Sequence, residues 1–380
     1  MNELDSILNS YKIAKDEQCK VILATVVHVK GSSYRRAGAR MLVDEYGNMT
    51  GSISGGCLEG DALRKALHAQ AQNENKLIRY DTSDEDDAII GAQLGCNGII
   101  QVLFEPIDFA DENNPIEILR QLKNNKSGVV CTFFNLNRKD QQHGTTCWIN
   151  HEEVKGVIPE LYQEQLVKDS NEALQSDKSL FREYINEDSS QYVFLEVMKP
   201  PVKIVIVGAG NDARVLSNMA NLLGWERVVI DGRSTHANSA RFQGGCQVIV
   251  TKPDSILDKV EIDDRTAFVL MTHNYSYDFV TLRLLLKNKQ LKYIGILGPK
   301  IKFDRMLSDL NLKEEENQKL LSNVHAPIGL ELGTETPSEI ALSILSEIQA
   351  VMSGTKALFL KDKDGPIHKE RNYNFKQVKL

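Results

Sequence analysis

The feature that most constrains the fold is a strand, a glycine-rich turn and a helix that follow one another in KIVIVGAGNDA. Gly208, Gly210 and Ala213 form the pattern G-x-G-x-x-A directly after a run of apolar, mostly β-branched residues. The first glycine permits a tight turn, the second lets the backbone approach a phosphate, and the small third residue lets the helix pack on the strand. Asp231 ends the next predicted strand, 21 residues after Gly210, where a carboxylate commonly accepts hydrogen bonds from ribose hydroxyls. These residues predict a Rossmann-like fold of the nucleotide-binding type.

The same residues leave the bound ligand open. Arg233 follows Asp231 by two positions and suits an additional phosphate, so the pattern does not choose between NAD and NADP. His273 follows the fourth predicted strand, at the edge of the sheet where such folds bind ligands, and is a candidate acid or base together with Asp278. A histidine that is only hydrogen-bonded within the fold is the alternative. A sheet that keeps the fold but no longer binds a dinucleotide is another interpretation of the motif.

Two consecutive prolines divide the chain. Pro200 and Pro201 resist both a helix and a central strand, so we place a domain boundary there. Beyond it, strands alternate with helices, which predicts parallel β-α-β units in a doubly wound sheet. We therefore expect an α/β protein with three segments. These are a mixed α/β N-terminal domain with glycine-rich cysteine loops at 1–199, a Rossmann-like domain at 200–355 and a polar C-terminal tail at 356–380.

Within the N-terminal domain, apolar runs of β type alternate with a helical pattern. Residues 21–29 and 38–43 predict strands, residues 58–70 a helix and residues 99–104 a buried closing strand. A weaker similarity recurs about 106 residues later, at 129–136 and 144–158. It indicates two related β units, with coincidence between generic hairpins as the alternative. The polar segment 160–190 is expected to form surface helix and loop.

Two cysteines lie in glycine-rich turns. Cys57 stands in GSISGGCLEG where a helix is predicted to begin, and Cys96 stands in GCNG immediately before an apolar strand. N–H groups at a helix N-terminus stabilise a thiolate, so each thiol is a candidate nucleophile or soft metal ligand. Two tight turns with buried cysteines are the alternative. Among the remaining cysteines, we expect Cys19, Cys131 and Cys147 to be buried packing residues. The sequence does not assign a role to Cys246.

A predicted loop upstream carries hydroxyls and two guanidinium groups, in the sequence GSSYRR. Arg35 and Arg36 match the geometry of a phosphate or carboxylate, which makes an acidic ligand plausible. A solvated surface pair explains this segment equally well.

Composition excludes several classes of function. Lys and Arg number 45 and Asp and Glu 52, so the formal charge is −7, which disfavours a nucleic-acid partner. No uninterrupted apolar stretch approaches the ~20 residues that span a bilayer. The first twenty residues lack the basic and apolar regions of a signal peptide. The six cysteines show no zinc-ligand spacing. We therefore expect a cytoplasmic protein without nucleic-acid or membrane partners.

Five motifs carry a resemblance that covers nearly the whole chain. They are GSSYRRAGARMLV, GSISGGCLEGD, LGCNG, IVGAGNDA with Asp231, and HAPIGLELGTETPSEIALSILSEI. Together they resemble the XdhC/CoxI family, whose members are accessory proteins of molybdenum hydroxylases such as xanthine dehydrogenase. The chain departs from the family pattern at three places. Asn211 stands where histidine is frequent, Asn97 replaces a glycine after Cys96, and Gly232 replaces a proline before Arg233.

The resemblance implies a chaperone that binds molybdenum cofactor, supports its sulfuration and inserts it into an apo-hydroxylase. The protein would then be a maturation factor rather than an enzyme. Implied partners are the molybdenum hydroxylase apo-enzyme, a cysteine desulfurase-type sulfur donor and a second copy of the chain in a homodimer. The alternative from another class is an NAD(P)-dependent oxidoreductase with His273 as acid or base.

The candidate site residues follow from these motifs and the resemblance. The cofactor would be molybdopterin or its dinucleotide form, and the metal would contact Cys57 or Cys96. Candidate catalytic residues are Cys57, Cys96 and His273. The expected cofactor-binding residues are Gly208, Gly210, Ala213, Asp231, Arg233, Arg35, Cys57 and Cys96.

Overall fold

Pro200 and Pro201 lie where one structural unit of the chain is followed by another. The computed structural model describes residues 3–31, 33–81, 98–121, 127–137, 139–186, 189–311, 321–364 and 374–380. The N-terminal unit contains the described residues from 3 to 200 together with 374–380, and the C-terminal unit contains those from 201 to 364. Among the described residues, no helix is both long and apolar enough to span a membrane.

The N-terminal unit contains two sheets with the same topology. After helix α1 (Glu3–Glu17), the first sheet is built from β1 (Val21–Gly31), β2 (Arg40–Asp44), β3 (Met49–Gly51), β4 (Lys76–Asp81) and β5 (Gly98–Pro106), with helix α2 (Glu59–Gln72) between β3 and β4. Its strand order is β3-β2-β1-β5-β4.

The second sheet follows a short helix, α3 (Pro115–Leu119). It comprises β6 (Gly128–Phe134), β7 (Gly144–Ile149), β8 (Val154–Gly156), β9 (Leu180–Asn186) and β10 (Ser189–Met198), with helix α4 (Gln163–Ser176) between β8 and β9. Its order, β8-β7-β6-β10-β9, repeats that of the first sheet. The two β units inferred from the weak sequence similarity are therefore present as two copies of one topology.

The two sheets pack face to face through apolar side chains. Strands β1, β4 and β5 meet β6, β9 and β10 in one buried cluster that includes Val27, Leu103, Phe134, Phe181 and Phe194. Helix α2 packs its alanines on the first sheet, and α4 packs on the second. The unit is thus layered as helix, sheet, sheet and helix, which buries the apolar faces of both sheets.

Two polar contacts also join the sheets. Arg40 on β2 forms an ion pair with Glu196 on β10, and the two side chains are only 5% and 13% exposed. Arg40 also donates to the carbonyl of Gly38 at 3.0 Å. Glu105 on β5 accepts hydrogen bonds from the Thr145 N–H at 2.6 Å and from its hydroxyl at 3.1 Å. Both carboxyl groups therefore find donors on the other sheet, which offsets part of the cost of removing them from water.

The segment 160–190 contributes more to the core than its polarity indicates. Its polarity predicts surface helix and loop, but residues 180–186 form β9. This strand lies between β10 and a further strand from the C-terminus, β17 (Lys376–Lys379). Arg182 on this strand pairs with Asp169 of α4 at 3.0 Å, and the Tyr184 hydroxyl donates to the same carboxylate at 2.9 Å. These charged groups are buried because they satisfy one another.

The C-terminal residues form a strand, although their composition predicts a polar appendage. Strand β17 (Lys376–Lys379) pairs in parallel with β9 and extends the second sheet. Just before it, the Phe375 ring lies 4.6 Å from that of His28 and 4.7 Å from that of Tyr192, measured between ring centroids. The ring contacts of Phe375 and the pairing with β9 together attach this segment to the N-terminal unit.

The C-terminal unit confirms the predicted Rossmann-like doubly wound parallel sheet. Its strands are β11 (Lys203–Val207), β12 (Glu226–Asp231), β13 (Gln247–Val250), β14 (Thr266–Leu270), β15 (Tyr293–Ile296) and β16 (Val324–His325). They run parallel in the order β13-β12-β11-β14-β15-β16. The α-helices among its described residues are α5 (Asn211–Leu222), α6 (Tyr275–Leu285), α7 (Lys300–Leu310) and α8 (Pro337–Met352). Helices α5 and α8 cover one face, and α6 and α7 cover the other.

The buried carboxyl of Glu105 predicts a pH dependence of stability. Burial raises its pKa to about 7 against the opposing effects of Thr145 and Arg40, whereas its ordinary value is 4.5. Because the folded-state pKa is the higher one, the stabilisation is fully present below about pH 4.5 and is lost as the pH rises through 7. We expect Glu105→Gln, which cannot ionise, to lose less stability than the wild type between pH 5 and 8, by about 2–3 kcal/mol.

Urea denaturation at the two pH values measures this difference. Glu160→Gln, which alters an exposed carboxylate, is the matched control and should keep the wild-type pH dependence. Equal pH dependence of the Glu105→Gln variant and the wild type would contradict the prediction.

Candidate functional site

Cys57 lies exposed in the connection between β3 and α2. The two residues before it, Gly55 and Gly56, have φ angles of +88° and +115°, which side chains other than glycine rarely adopt. The Tyr34 ring packs against Gly55 so closely that a Cβ atom there would lie 2.5 Å from the ring. Backbone geometry and this contact therefore require glycine at position 55, and they fix the turn that presents the thiol.

The Cys57 loop is held by a carboxylate from its own helix. Glu59, the first residue of α2, accepts hydrogen bonds from the Ser52 hydroxyl at 2.7 Å, the Ser54 N–H at 2.9 Å and the Gly56 N–H at 2.9 Å. Three further backbone N–H groups donate to it at 3.1–3.2 Å, those of Ile53, Gly55 and Leu58. Burial works to raise the pKa of Glu59, but the hydrogen bonds outweigh it and lower the pKa to about 2.

This geometry changes the role expected of the glycine-rich loop. The sequence predicts that its free N–H groups stabilise a thiolate at Cys57 or an anionic ligand. In the structure, most of these groups donate to Glu59, and the Cys57 N–H donates to the Ser54 hydroxyl oxygen at 3.1 Å. The carboxylate therefore fills the anion cradle, and the exposed thiol is the part of the loop that remains open to a ligand.

Arg35 supports the same loop from outside. Its Nε and Nη2 atoms donate to the Ser52 carbonyl at 3.2 and 3.1 Å, and its guanidinium pairs with Glu3. Glu3 in turn accepts from the Ser52 N–H at 2.8 Å. Arg35, predicted to bind cofactor, is thus engaged on both sides of Ser52. Its observed contacts brace the Cys57 loop.

The other cysteines divide as the sequence predicts where the structure describes them. Cys96 lies outside the described residues. Cys19, Cys131 and Cys147 are buried, and Cys246 is half-buried. Burial raises the pKa of the Cys131 and Cys246 thiols. In the part of the chain that the structure describes, no group of three or more His, Cys, Asp or Glu side chains has the geometry of a metal site.

The two glycines of the turn after β11 differ in the space around them. Gly208 has a φ of +116°, and a Cβ atom there would lie 2.5 Å from the Met271 carbonyl oxygen, so the approach of the chain after β14 requires glycine. Gly210 caps helix α5 with an ordinary φ of −68°, and a Cβ atom there would meet no heavy atom within 4 Å. Ala213 is fully buried in the first turn of α5. Gly210 therefore leaves open space in front of the helix N-terminus.

Asp231 and Arg233 contact each other at the end of β12. The Asp231 carboxylate accepts from Arg233 Nε at 2.9 Å and Nη2 at 2.8 Å, from the Arg233 N–H at 2.9 Å and from the Ala209 N–H at 2.8 Å. Burial works to raise the pKa of Asp231, but these hydrogen bonds outweigh it and lower the pKa. Two residues that were predicted to contact a cofactor are therefore paired within the chain.

Arg241 is a neighbour of the glycine-rich turn that the sequence motifs do not reveal. It lies in the connection between β12 and β13, where its Nη1 atom donates to the Ala209 carbonyl at 2.9 Å and its Nη2 atom to Asn211 Oδ1 at 3.1 Å. No fixed spacing links it to the turn, so only the fold brings it there.

His273 and Asp278, predicted as an acid–base pair, lie in different environments. His273 is exposed after β14, with a left-handed φ of +59°. Asp278 is fully buried and accepts from the Thr272 hydroxyl at 2.6 Å and from Lys302 Nζ at 2.7 Å. These contacts give Asp278 a structural role: it holds the chain after β14, and it is not paired with His273 for acid–base chemistry.

Comparison with known proteins gives consistent matches along the chain. Residues 204–348 match the family model described as the XdhC Rossmann domain, and residues 14–81 match that of the XdhC and CoxI family. The chain is 29% identical over 333 residues to a Bacillus subtilis protein named as a probable xanthine dehydrogenase subunit, which is 88% of this chain and 93% of that protein. It is 22% identical to the molybdenum cofactor insertion chaperone PaoD of Escherichia coli over 334 residues, which is 87% of this chain and 83% of PaoD.

A solved structure has a similar fold. The crystal structure of a xanthine dehydrogenase from Bacillus halodurans superimposes with a TM-score of 0.74 at 28% identity, and the similarity covers 94% of this chain and 97% of that one.

The exposure of Cys57 predicts fast thiol modification. We expect iodoacetamide to modify Cys57 at least roughly tenfold faster than Cys131, because the buried thiol reacts only after local opening of the fold. Peptide mass spectrometry of the native protein over a time course measures each rate. Denatured protein is the control, in which the two rates should converge, and equal rates in the native protein would contradict the assignment.

The contacts of Glu59 predict that it orders the loop. Its pKa is lowered, so the stabilisation is present above about pH 4.5 and is lost as the pH falls toward 2. We expect Glu59→Gln, which places an amide NH₂ among N–H donors, to speed hydrogen exchange of residues 53–58 by roughly tenfold or more at pH 7.

A second carboxylate in the first turn of α2 provides the control. Asp61 pairs with Arg64 at 3.0 Å, and Asp61→Asn should leave exchange in the loop unchanged. Slow exchange in the Glu59→Gln variant would show that other contacts hold the turn.

Proposed function

Since the chain belongs to the XdhC and CoxI family, we propose that it is an accessory chaperone that binds molybdenum cofactor and inserts it into a xanthine dehydrogenase-like molybdenum hydroxylase. Two likenesses that each extend along most of the chain support this proposal. One is to PaoD, named as a molybdenum cofactor insertion chaperone, and the other is to the Bacillus subtilis protein named for xanthine dehydrogenase. The observation that carries the proposal within the fold is the exposed Cys57 thiol on a glycine loop whose N–H groups are hydrogen-bonded to Glu59.

In this proposal, the glycine-rich turn of the C-terminal unit is the part of that unit that contacts a phosphate group. The space in front of Gly210 is open, and the first N–H groups of α5 point along the helix axis toward it. Arg241 lies against the same turn and adds positive charge beside an anionic ligand. The turn thus supports binding of a phosphate-bearing molecule.

The thiol of Cys57 has a separate task in the proposal. A thiolate is a soft ligand that suits molybdenum, and Cys57 is the exposed thiol among the cysteines the structure describes. Because Glu59 occupies the surrounding N–H groups, the loop holds its shape while the thiol stays available. We propose that Cys57 contacts molybdenum, and that a cysteine desulfurase-type sulfur donor is the partner for sulfuration of that metal.

The NAD(P)-dependent oxidoreductase gains no specific support. The carboxylate expected to accept the ribose hydroxyls is engaged by Arg233, and Asp278 is held by Thr272 and Lys302. The exposed His273 therefore has no carboxylate partner in the predicted pair. A second copy of the chain and the sulfur donor remain proposed partners.

Cofactor retention in variants tests the proposal. Protein purified from a host that makes molybdenum cofactor is expected to carry both a fluorescent pterin and molybdenum. We expect Gly210→Val to lower pterin retention roughly tenfold or more, because a branched side chain would occupy the phosphate space. Cys57→Ser should lower molybdenum retention and the activation of a client apo-hydroxylase.

The chain provides a matched control for each variant. Gly210→Val should melt like the wild type because its Cβ meets open space, whereas Gly208→Val should lower the melting temperature because of its contact with Met271. Cys246→Ser alters a half-buried thiol outside the loop and should retain molybdenum. Wild-type protein that carries neither pterin nor molybdenum, and fails to activate a client, would refute the proposed function.

A further inference from the structure

The Asp231 carboxylate has no hydrogen-bonding capacity left for a ligand. Its Oδ1 atom accepts from the Arg233 N–H and Nε, both at 2.9 Å, and its Oδ2 atom accepts from Arg233 Nη2 and the Ala209 N–H, both at 2.8 Å. Four donors on two oxygens match the number of lone pairs that a carboxylate offers. In a Rossmann fold, this is the position whose carboxylate accepts hydrogen bonds from the ribose diol of a dinucleotide.

We infer that Arg233 is a specificity-determining residue that excludes a ribose diol from the C-terminal unit by occupying Asp231. The inference goes beyond the proposed function, because it concerns what this unit rejects and not what it carries. Half of the Arg233 side chain is exposed, at 52%, whereas Asp231 is only 5% exposed. The guanidinium thus closes a buried carboxylate from the solvent side.

The exclusion follows from a comparison of the two sets of hydrogen bonds. A diol that bound Asp231 would have to replace a two-point contact between oppositely charged groups by hydrogen bonds from neutral hydroxyls to the carboxylate. The displaced guanidinium would return to water, but the carboxylate would lose its counter-charge inside the fold. The C-terminal unit therefore has the parallel sheet of a dinucleotide-binding domain, but the Asp231 carboxylate cannot accept hydrogen bonds from the ribose diol.

Removal of the guanidinium tests this inference. Arg233→Ala leaves the Ala209 and position-233 N–H groups in place and frees half of the Asp231 contacts. We expect the affinity for NAD⁺, which has a free adenosine diol, to rise about tenfold or more in isothermal titration calorimetry. NADP⁺ carries a phosphate on one of these hydroxyls, so its affinity should not rise with that of NAD⁺.

Three further variants make the result decisive. Arg214→Ala removes an exposed positive charge on α5 and should leave NAD⁺ affinity unchanged. Arg233→Lys, which offers one ammonium group instead of a planar fork, should give a smaller gain and serves if the alanine variant unfolds. Combining Arg233→Ala with Asp231→Asn should abolish the gain.

The possible results separate clearly. A gain for NAD⁺ that requires Asp231 supports the inference. No gain in a folded variant, an equal gain for both dinucleotides, or a gain that survives Asp231→Asn would overturn it. The titrations use no molybdenum cofactor, so failure here leaves the proposed chaperone function standing, and failure of cofactor retention leaves this result standing.

Discussion

A carboxylate that leaves water must find hydrogen-bond donors, and this requirement shapes both candidate regions of the molecule. Glu59 takes the N–H groups of the Cys57 loop, and Asp231 takes the guanidinium of Arg233. The N–H groups of the Cys57 loop and the Arg233 guanidinium, which the sequence motifs predict to bind a ligand, thus mostly donate to side chains of the protein itself. What stays open is a thiol at one place and the space before a helix at another.

The two copies of the topology in the N-terminal unit differ in the loop that carries the candidate functional residue. Both copies connect their third strand to a helix, but the first connection contains the Ser-Gly-Gly-Cys turn and the second runs through Pro159 and a short 3₁₀ turn at Glu160–Tyr162. The second copy therefore provides the sheet against which the first one packs, together with the buried contacts of Glu196 and Thr145. The first copy carries the Cys57 loop, and the second copy buries the apolar face of its sheet.

The fold was largely predictable because its main signals are local, whereas the candidate site was predictable only in part. A strand, a glycine turn and a small residue at fixed spacing identify β11 and α5, and alternating strands and helices extend this to the whole parallel sheet. Strand β9 was missed because its buried Arg182 resembles a surface residue until Asp169 is placed beside it. The site has the same limit, since a motif locates Cys57 but does not reveal that Glu3 already neutralises Arg35.

The strand at the C-terminus has a consequence for the behaviour of the protein at high concentration. Without β17, strand β9 would be the border of its sheet, with a row of unpaired backbone groups and the aromatic surface that Phe375 covers. Such borders are templates on which other chains add strands. Strand β17 replaces β9 as the border, and it is only four residues long with a lysine at each end. Short, lysine-bearing border strands resist the addition of further strands, so this terminal segment disfavours self-association through the second sheet.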